Sequence, residues 1–287
     1  MNRQDALNAP EFLLLGGELT GEIRAGQELL LKGREHRHLA LSKRMRPGET
    51  VRVGDGAGLV AICRVREIGR DTTRLEVIEL LGPLKDTLPL HVVLSLIKAE
   101  RMDWAVQKLS EIGVEAILPV VTERSVARPG AERAERRRSR WQKVALEALK
   151  QSRGAAATRI GQILPLKDML LHLAEGQGLG GGSTGLSCPL VVLHAGAAFP
   201  PLWEMFDVAA GSDRAGAPFE PCFVVVGPEG GFSPDEIGLF ERFGAGFASL
   251  GTRILRSETA AVVAAGIFAA RYFSMHLGVH LGGRNGK

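Results

Sequence analysis

The segment Cys222–Ile237 (CFVVVGPEGGFSPDEI) constrains the fold more than any other part of the chain. An uninterrupted apolar run ends at Gly227, a glycine-rich turn follows, and Ser233 stands where it can cap a helix. Pro234 suits the first helical position, and Glu236, placed three residues after Ser233, completes a capping box. The same rhythm starts at Leu88. Leu90 to Ile97 and Val114 to Val121 predict buried strands. Arg101 to Ile112 predicts a helix with Ala105, Leu109 and Ile112 on one face and Gly113 as its stop. Arg133 to Arg153 predicts a long arginine-rich helix, and Leu190 to His194 a further strand. Strands alternating with helices predict an α/β domain with a largely parallel sheet, whose ligands gather at the carboxyl ends of the strands.

Upstream of Pro83 the pattern differs. Glu28 to Lys32, Thr50 to Val53, Leu59 to Val65 and Arg74 to Leu80 predict short strands, with Gly54-Asp55-Gly56 as a turn. Glu35 to Arg46 predicts one helix stopped by Pro47-Gly48. Short strands with one helix suggest a small barrel, and Gly82-Pro83 marks its end. The boundaries are residues 1–84 for the barrel and 85–287 for the α/β domain.

The glycines after Val226 let backbone approach a ligand closely and expose N–H groups. Neither a dinucleotide fingerprint nor a Walker loop is present. Glu229 sets a carboxylate where a phosphate would sit, which favours a ligand with a cationic or neutral group. A tight strand–helix connection with no ligand is the plainer alternative. A second feature is SLGTRILRSETAAVVAAGIFAARYF, Ser249 to Phe273. Gly251 breaks the run, and Ser257 can cap a helix that begins at Glu258. Ala260, Ala261, Ala264, Ala265 and Gly266 suit a tightly packed or dimer-forming helix, or simply an alanine-rich core helix. Neither helix account explains why Arg253 and Arg256 flank the apolar Ile254-Leu255.

Charge narrows the partners. The net charge is +4, and the lysines and arginines cluster. One cluster is Arg34, Arg37, Lys43, Arg44 and Arg46; the other runs from Arg124 and Arg128 through Arg133, Arg136, Arg137, Arg138, Arg140, Lys143 and Lys150 to Arg153. Two clusters suit a phosphate-contacting surface, against the alternative of solvated helix faces. At 5% aromatic residues, an RNA module built on stacking platforms is disfavoured. Cys63, Cys188 and Cys222 are odd in number and widely spaced, so they predict free thiols rather than a disulfide framework or a zinc site. No metal is expected. The N-terminal residues lack an apolar signal region and no apolar run is long enough to span a membrane, so a cytoplasmic protein is expected. Gly176 to Ser187 and Gly211 to Pro218 suggest surface loops.

GPEGGFSPDE together with LGTRILRSETA resembles the RsmE-type 16S rRNA uracil-N3 methyltransferases of the SPOUT superfamily. HLALSKRMRPGE (His38 to Glu49), KAERMDWAVQKLSEIGV (Lys98 to Val114), ERSVAR (Glu123 to Arg128) and RWQKVALEALKQS (Arg140 to Ser152) resemble further motifs of that family in the same order. Where the family has Gln-x-Gly-Arg, this chain has Gln151-Ser152-Arg153-Gly154, with the arginine displaced by one position. The resemblance implies a PUA-like barrel followed by an α/β domain with a C-terminal trefoil knot. It also implies a homodimer and S-adenosylmethionine as methyl donor. The cofactor would meet Leu193, His194 and Gly196 in a first loop and Val226, Gly227, Glu229, Gly230 and Gly231 in a second. Leu250, Gly251, Ile254, Leu255 and Arg256 would form the third.

The implied partner is 16S rRNA within the assembled small ribosomal subunit. It would be contacted through Arg37, Lys43, Arg44, Arg46, Lys98, Arg101, Arg140, Gln151 and Arg153. Transfer to uracil N3 is an in-line displacement that needs alignment and stabilisation of a developing anion. Arg124 and Arg256, with Arg153 as a third candidate, are the expected cationic groups, and Glu258 or Glu229 the expected proton acceptor. Glu258 also fits a plain helix-N-terminal charge, and His38 and His194 fit structural histidines. A SPOUT ribose 2′-O-methyltransferase and a non-catalytic RNA-binding protein are the alternatives.

Overall fold

The computed structural model describes residues 11–13, 23–84, 86–175, 189–195, 199–209 and 222–276. They divide into two compact units: residues up to Thr87 together with Leu146–Ala157, and Leu88–Ala145 together with residues from Thr158 onward.

The first unit holds a five-stranded sheet built from β1 (Glu11–Leu13), β2 (Glu28–Lys32), β3 (Thr50–Gly54), β4 (Leu59–Ile68) and β5 (Thr72–Pro83), in the order β1-β3-β4-β5-β2. All its pairings are antiparallel except β1 with β3. Strand β2, at the edge of the sheet, buries Leu29 and Leu31 and leaves Glu28, Leu30 and Lys32 outside, the period-2 signature of a strand with one covered face, whereas β3 and the first half of β4 are buried on both faces. Ile23, Leu29, Leu31, Leu39, Val51, Val53, Cys63, Val65 and Leu75 make the core. Burial pushes the Cys63 thiol up to about 12, so it stays protonated and inert near neutral pH. On the other face Arg66 pairs with Glu76 at 2.6 Å and Arg74 with Glu67 at 2.7 Å.

The helix expected over Glu35 to Arg46 is shorter and differently built. Helix α1 (Gly33–Arg37) passes into a single π turn at His38–Ser42, where Lys43 N–H donates to the His38 carbonyl at 2.9 Å. Arg44 then takes φ +51°, a left-handed conformation that ends the turn before Pro47 is reached. His36 is buried, with Nδ1 2.9 Å from the Thr73 hydroxyl and Nε2 3.1 Å from the Arg70 carbonyl, a structural histidine.

Leu146–Ala157 joins this unit through hydrogen bonds that sequence spacing does not show. The Asp86 carboxylate accepts from the N–H groups of Ala155 (2.6 Å) and Ala156 (3.2 Å). Gly58 N–H donates to the Ala155 carbonyl, and Ala157 N–H to that of Gly56.

The second unit is a parallel sheet of seven strands: β6 (Leu88–Ser95), β7 (Val114–Val121), β8 (Arg159–Ile160), β9 (Leu164–Pro165), β10 (Leu190–Leu193), β11 (Cys222–Val226) and β12 (Gly246–Ala248). Their order is β12-β10-β11-β6-β7-β8, with β9 also on β7. Its helices are α2 (Ala99–Ile112), α3 (Ala131–Ser152, whose last turns belong to the first unit), α4 (Leu166–Ala174), α5 (Leu202–Ala209), α6 (Pro234–Arg242) and α7 (Ser257–His276). All eight residues of β6 and all five of β11 are buried. Successive residues feed opposite cores. Val92, Leu94, Val224 and Val226 pack with Met102 and Leu109 of α2 and with Ala261, Ala264, Ala265 and Phe268 of α7. Val93, Phe223 and Val225 pack with Leu170 of α4 and Phe240 of α6. Helices on both faces are what buries these strands along their whole length, His91 and Ser95 of β6 included.

Gly113 ends α2 at φ +86°. Helix α6 carries the expected capping box: the Ser233 hydroxyl accepts from Glu236 N–H, and Glu236 Oε2 accepts from Ser233 N–H. Helix α7 begins at Ser257 itself, because Ala260 N–H reaches back to the Arg256 carbonyl, so Arg256 rather than Ser257 precedes the first turn. At the edge of the sheet the end of β12 has neighbours on two sides. His194 N–H donates to the Ala248 carbonyl, while Ser249 N–H donates to Pro200 and the Ser249 carbonyl accepts from Leu202 N–H. Cys63 and Cys222 are buried thiols, and Cys188 lies outside the described residues. Among the described residues no helix is long and apolar enough to cross a membrane, and no cluster of three metal-ligating side chains occurs.

Candidate active site

The carboxyl ends of β10, β11 and β12 lie side by side because these strands are parallel and adjacent, and the loops leaving them enclose a cavity of about 400 Å3. It is lined by Leu193 and His194 from the first loop, Val226, Gly227, Glu229, Gly230 and Gly231 from the second, and Leu250, Gly251, Ile254 and Leu255 from the third. These are eleven of the cofactor residues expected from the sequence. Gly196 lies outside the described residues, and Arg256 is exposed and off the lining. Ala195, Pro228, Phe232, Arg253, Ser257 and Ala260 also line the cavity. Ala195, Pro228, Phe232 and Arg253 belong to the same three loops, and Ser257 and Ala260 to the first turn of α7 that follows the third.

Two glycines have backbone conformations that L side chains rarely adopt: Gly231 at φ +68° and Gly251 at φ +119°. Gly227 is required for a different reason, since a Cβ there would come within 3.0 Å of the Phe232 ring. That ring meets Phe240 edge-on at 4.9 Å, which roots the turn in the core. The third loop is held by Ser249, whose hydroxyl bonds both the N–H and the carbonyl of Gly251 at 3.0 Å.

Arg124, in the loop after β7, reaches the cavity although it is far from these loops in sequence. Its Nη1 donates to the Gly230 carbonyl at 2.9 Å, and its stem lies where a Cβ on Gly230 would meet it at 3.4 Å. Arg101 bridges two carboxylates. Its Nη1 lies 3.0 Å from Glu229 Oε1, and its Nε 3.6 Å from Glu258 Oε1. Glu258 is 7% exposed, stands in the first turn of α7 and faces Arg101 rather than lining the cavity; its Oε2 is buried without a hydrogen-bond partner. In that place its carboxylate is an ion-paired group at a helix N-terminus. His194 Nδ1 lies 2.9 Å from the Ala195 carbonyl, and its ring packs on Phe199.

The expected RNA-contacting residues fall in both units. In the first, Lys43, Gln151 and Arg153 line a polar hollow of about 260 Å3 with Arg34, His38 and Lys150, while Arg37, Arg44 and Arg46 are exposed. The hollow is not purely cationic, since Glu35 pairs with Lys150 at 2.6 Å and Glu147 with Arg34 at 2.9 Å. In the second unit Lys98 is exposed just before α2, and Arg140 pairs with Asp103, which also accepts from Trp141 Nε1 at 3.0 Å. Arg101 is engaged at the cavity as described.

An RNA methyltransferase domain family matches residues 84–269, and an RNA methyltransferase PUA domain family matches residues 31–78. The chain is 33% identical over 241 residues to ribosomal RNA small subunit methyltransferase E of Mycobacterium bovis, covering 84% of this chain and 86% of that protein. To the protein of the same name in Bacillus subtilis it is 27% identical over 250 residues, covering 86% and 92%. Among solved structures, the Neisseria gonorrhoeae ribosomal RNA small subunit methyltransferase E bound to S-adenosyl methionine aligns with a TM-score of 0.72 at 25% identity. That alignment covers 92% of this chain and 98% of the other.

Proposed function

The chain belongs to the RNA methyltransferase family, and we propose that it methylates N3 of a uridine in 16S rRNA with S-adenosylmethionine as donor. The observation that carries this reading is the cavity built from three loops at the carboxyl ends of adjacent parallel strands, with Glu229 and Arg124 at its wall. Its residues fit the donor. Leu193, Val226, Leu250 and Leu255 offer apolar surface for a flat ring, the glycine loops offer backbone hydrogen bonds, and Glu229 supplies negative charge suited to a cationic ligand. When bound, S-adenosylmethionine supplies a methyl group on a sulfonium, a leaving group that needs no further activation.

The protein's own task is alignment and charge. The three loops would hold the donor, with Gly231 and Gly251 fixing their turns. Arg124, anchored at Gly230, would place positive charge beside a uracil oxygen and so stabilise the anion formed as the N3 proton leaves. Arg256, exposed immediately before α7, is a second such cation. The basic residues of the first unit would hold the RNA backbone. The same reading extends to a cytoplasmic homodimer that acts on the assembled small subunit, with exposed Val263 and Phe273 on α7 as candidate dimer contacts. It also extends to a knotted C-terminal segment, a reading supported by the end of β12, where Ala248 bonds His194 and Ser249 bonds Pro200 and Leu202.

The test is mass mapping of 16S rRNA after incubation of unmethylated small subunits with the purified protein and the donor. A single methyl on N3 of one uridine is expected. A methyl on ribose, or none, would overturn the reading.

A further inference from the structure

The loop that carries Arg124 is held from outside by one side chain. The Glu236 carboxylate has two tasks: Oε2 accepts from Ser233 N–H at 2.9 Å in the α6 capping box, and Oε1 accepts from Glu123 N–H at 2.8 Å. The other polar group of Glu123 is also taken, since its carbonyl accepts from Arg128 Nη2 at 3.0 Å. The turn beneath is closed on itself, with the Ser125 hydroxyl accepting from Thr122 N–H at 2.9 Å. The residue immediately before Arg124 is therefore clamped on both sides of its peptide, and Arg124 reaches the Gly230 carbonyl from a fixed origin.

A capping box needs only one carboxylate oxygen. The second one here spans to a strand end distant in sequence, and it does so from the helix that follows the Gly227–Gly231 turn. This carboxylate thus bonds both Ser233, three residues after Gly230, and Glu123, the neighbour of Arg124. We propose that Glu236 is a positioning residue for the methyl transfer: it locks the Arg124 loop to the second cofactor loop, so that the guanidinium and the cavity wall keep one geometry. The proposal rests on the functional reading above and on the place given there to Arg124.

Helix capping and positioning separate experimentally. Ser233→Ala removes the hydroxyl half of the capping box but leaves both Glu236 bonds to N–H groups in place. Glu236→Ala removes the cap and the link together. Glu236→Asp keeps the charge at the helix start but is one methylene too short to span both N–H groups. We expect Ser233→Ala and Glu236→Ala to lower Tm comparably, while only Glu236→Ala lowers kcat. That loss should be about tenfold to a hundredfold, the scale that follows about 1 Å of misplacement, with donor affinity within about twofold of wild type. Glu236→Asp should lose kcat in the same direction with a smaller drop in Tm, and serves if the alanine variant does not fold. Glu236→Ala added to Arg124→Ala should reduce kcat little further, since both act through one group. Turnover by wild-type protein with undiminished kcat in Glu236→Ala or Glu236→Asp would overturn the proposal, as would equal kcat losses in Ser233→Ala and Glu236→Ala. Wild-type protein that transfers no methyl at all would instead overturn the functional reading beneath it.

Discussion

The edge of the first sheet and the middle of the second answer the same problem in opposite ways. In the first unit, strand β2 sends alternate residues to a core and to solvent, and its outer face carries the Arg66–Glu76 and Arg74–Glu67 pairs. In the second, β6 and β11 have no outer face, because neighbouring residues enter two separate cores. A strand covered on one face leaves polar side chains toward solvent or a partner, as β2 does at the edge of the first sheet. A two-faced sheet has only its edges and ends free, so its chemistry must collect in the loops at the strand ends. The cavity is found there, between the ends of β10, β11 and β12.

The most direct way to break this contrast is truncation at adjacent strand positions. Leu94→Ala in β6 should cost about 2–5 kcal/mol in chemical denaturation, as should Leu31→Ala in β2. Moving one residue along separates the sheets: Val93→Ala should still destabilise measurably, whereas Leu30→Ala, at a position 41% exposed, should stay within about 0.5 kcal/mol. Equal costs at Leu30 and Val93 would show that β2 and β6 are not covered differently.

A second contrast is between chemistry and grip. Arg124→Ala is expected to lower kcat by about a hundredfold to a thousandfold, the usual consequence of losing one donor to a developing anion, with little change in RNA affinity. Lys43→Ala, in the polar hollow of the first unit, should do the reverse. It should leave kcat intact, weaken RNA binding, and reduce the slope of log affinity against log salt by about one. A variant at Lys43 that loses turnover at saturating RNA would dissolve the division of labour.

The smallest effects concern helix ends. Gly113 closes α2 in the left-handed region, whereas Arg153 takes φ +58° immediately after α3. Arg153→Gly should therefore stabilise the protein by about 0.5 kcal/mol, the difference between the left-handed cost for an ordinary residue and the entropy cost of glycine. Gly113→Ala should destabilise by about 1 kcal/mol. A rise in Tm for one and a fall for the other is the expected readout. The displaced arginine of Gln151-Ser152-Arg153-Gly154 thus sits in a backbone conformation that favours glycine.

What was legible in the sequence follows the same contrast. Val114–Val121 and Cys222–Val226 were readable to the residue because mostly apolar runs that start after or stop at a glycine leave little choice, and the Ser233–Glu236 capping box is a local pattern. The three cofactor loops could be placed because each follows a strand. Contacts between distant segments left no local trace. Nothing near Asp86 announces that its carboxylate gathers Ala155 and Ala156, which takes the end of α3 into the first unit. The Glu236–Glu123 bond is equally silent, and so is the pairing of Arg101 with Glu229 and Glu258, a residue expected only to touch RNA. The π turn at His38–Ser42 escaped because its composition is that of an ordinary helix.

The place of the third loop in the chain carries a consequence for how the protein is made. The residues that complete the cavity, from Leu250 to Ala260, come after every residue of the first unit and after both other loops. During synthesis the cavity is therefore among the last features that can form. A chain ending before Leu250 would keep every residue of the first unit and lack one of the three loops that line the cavity.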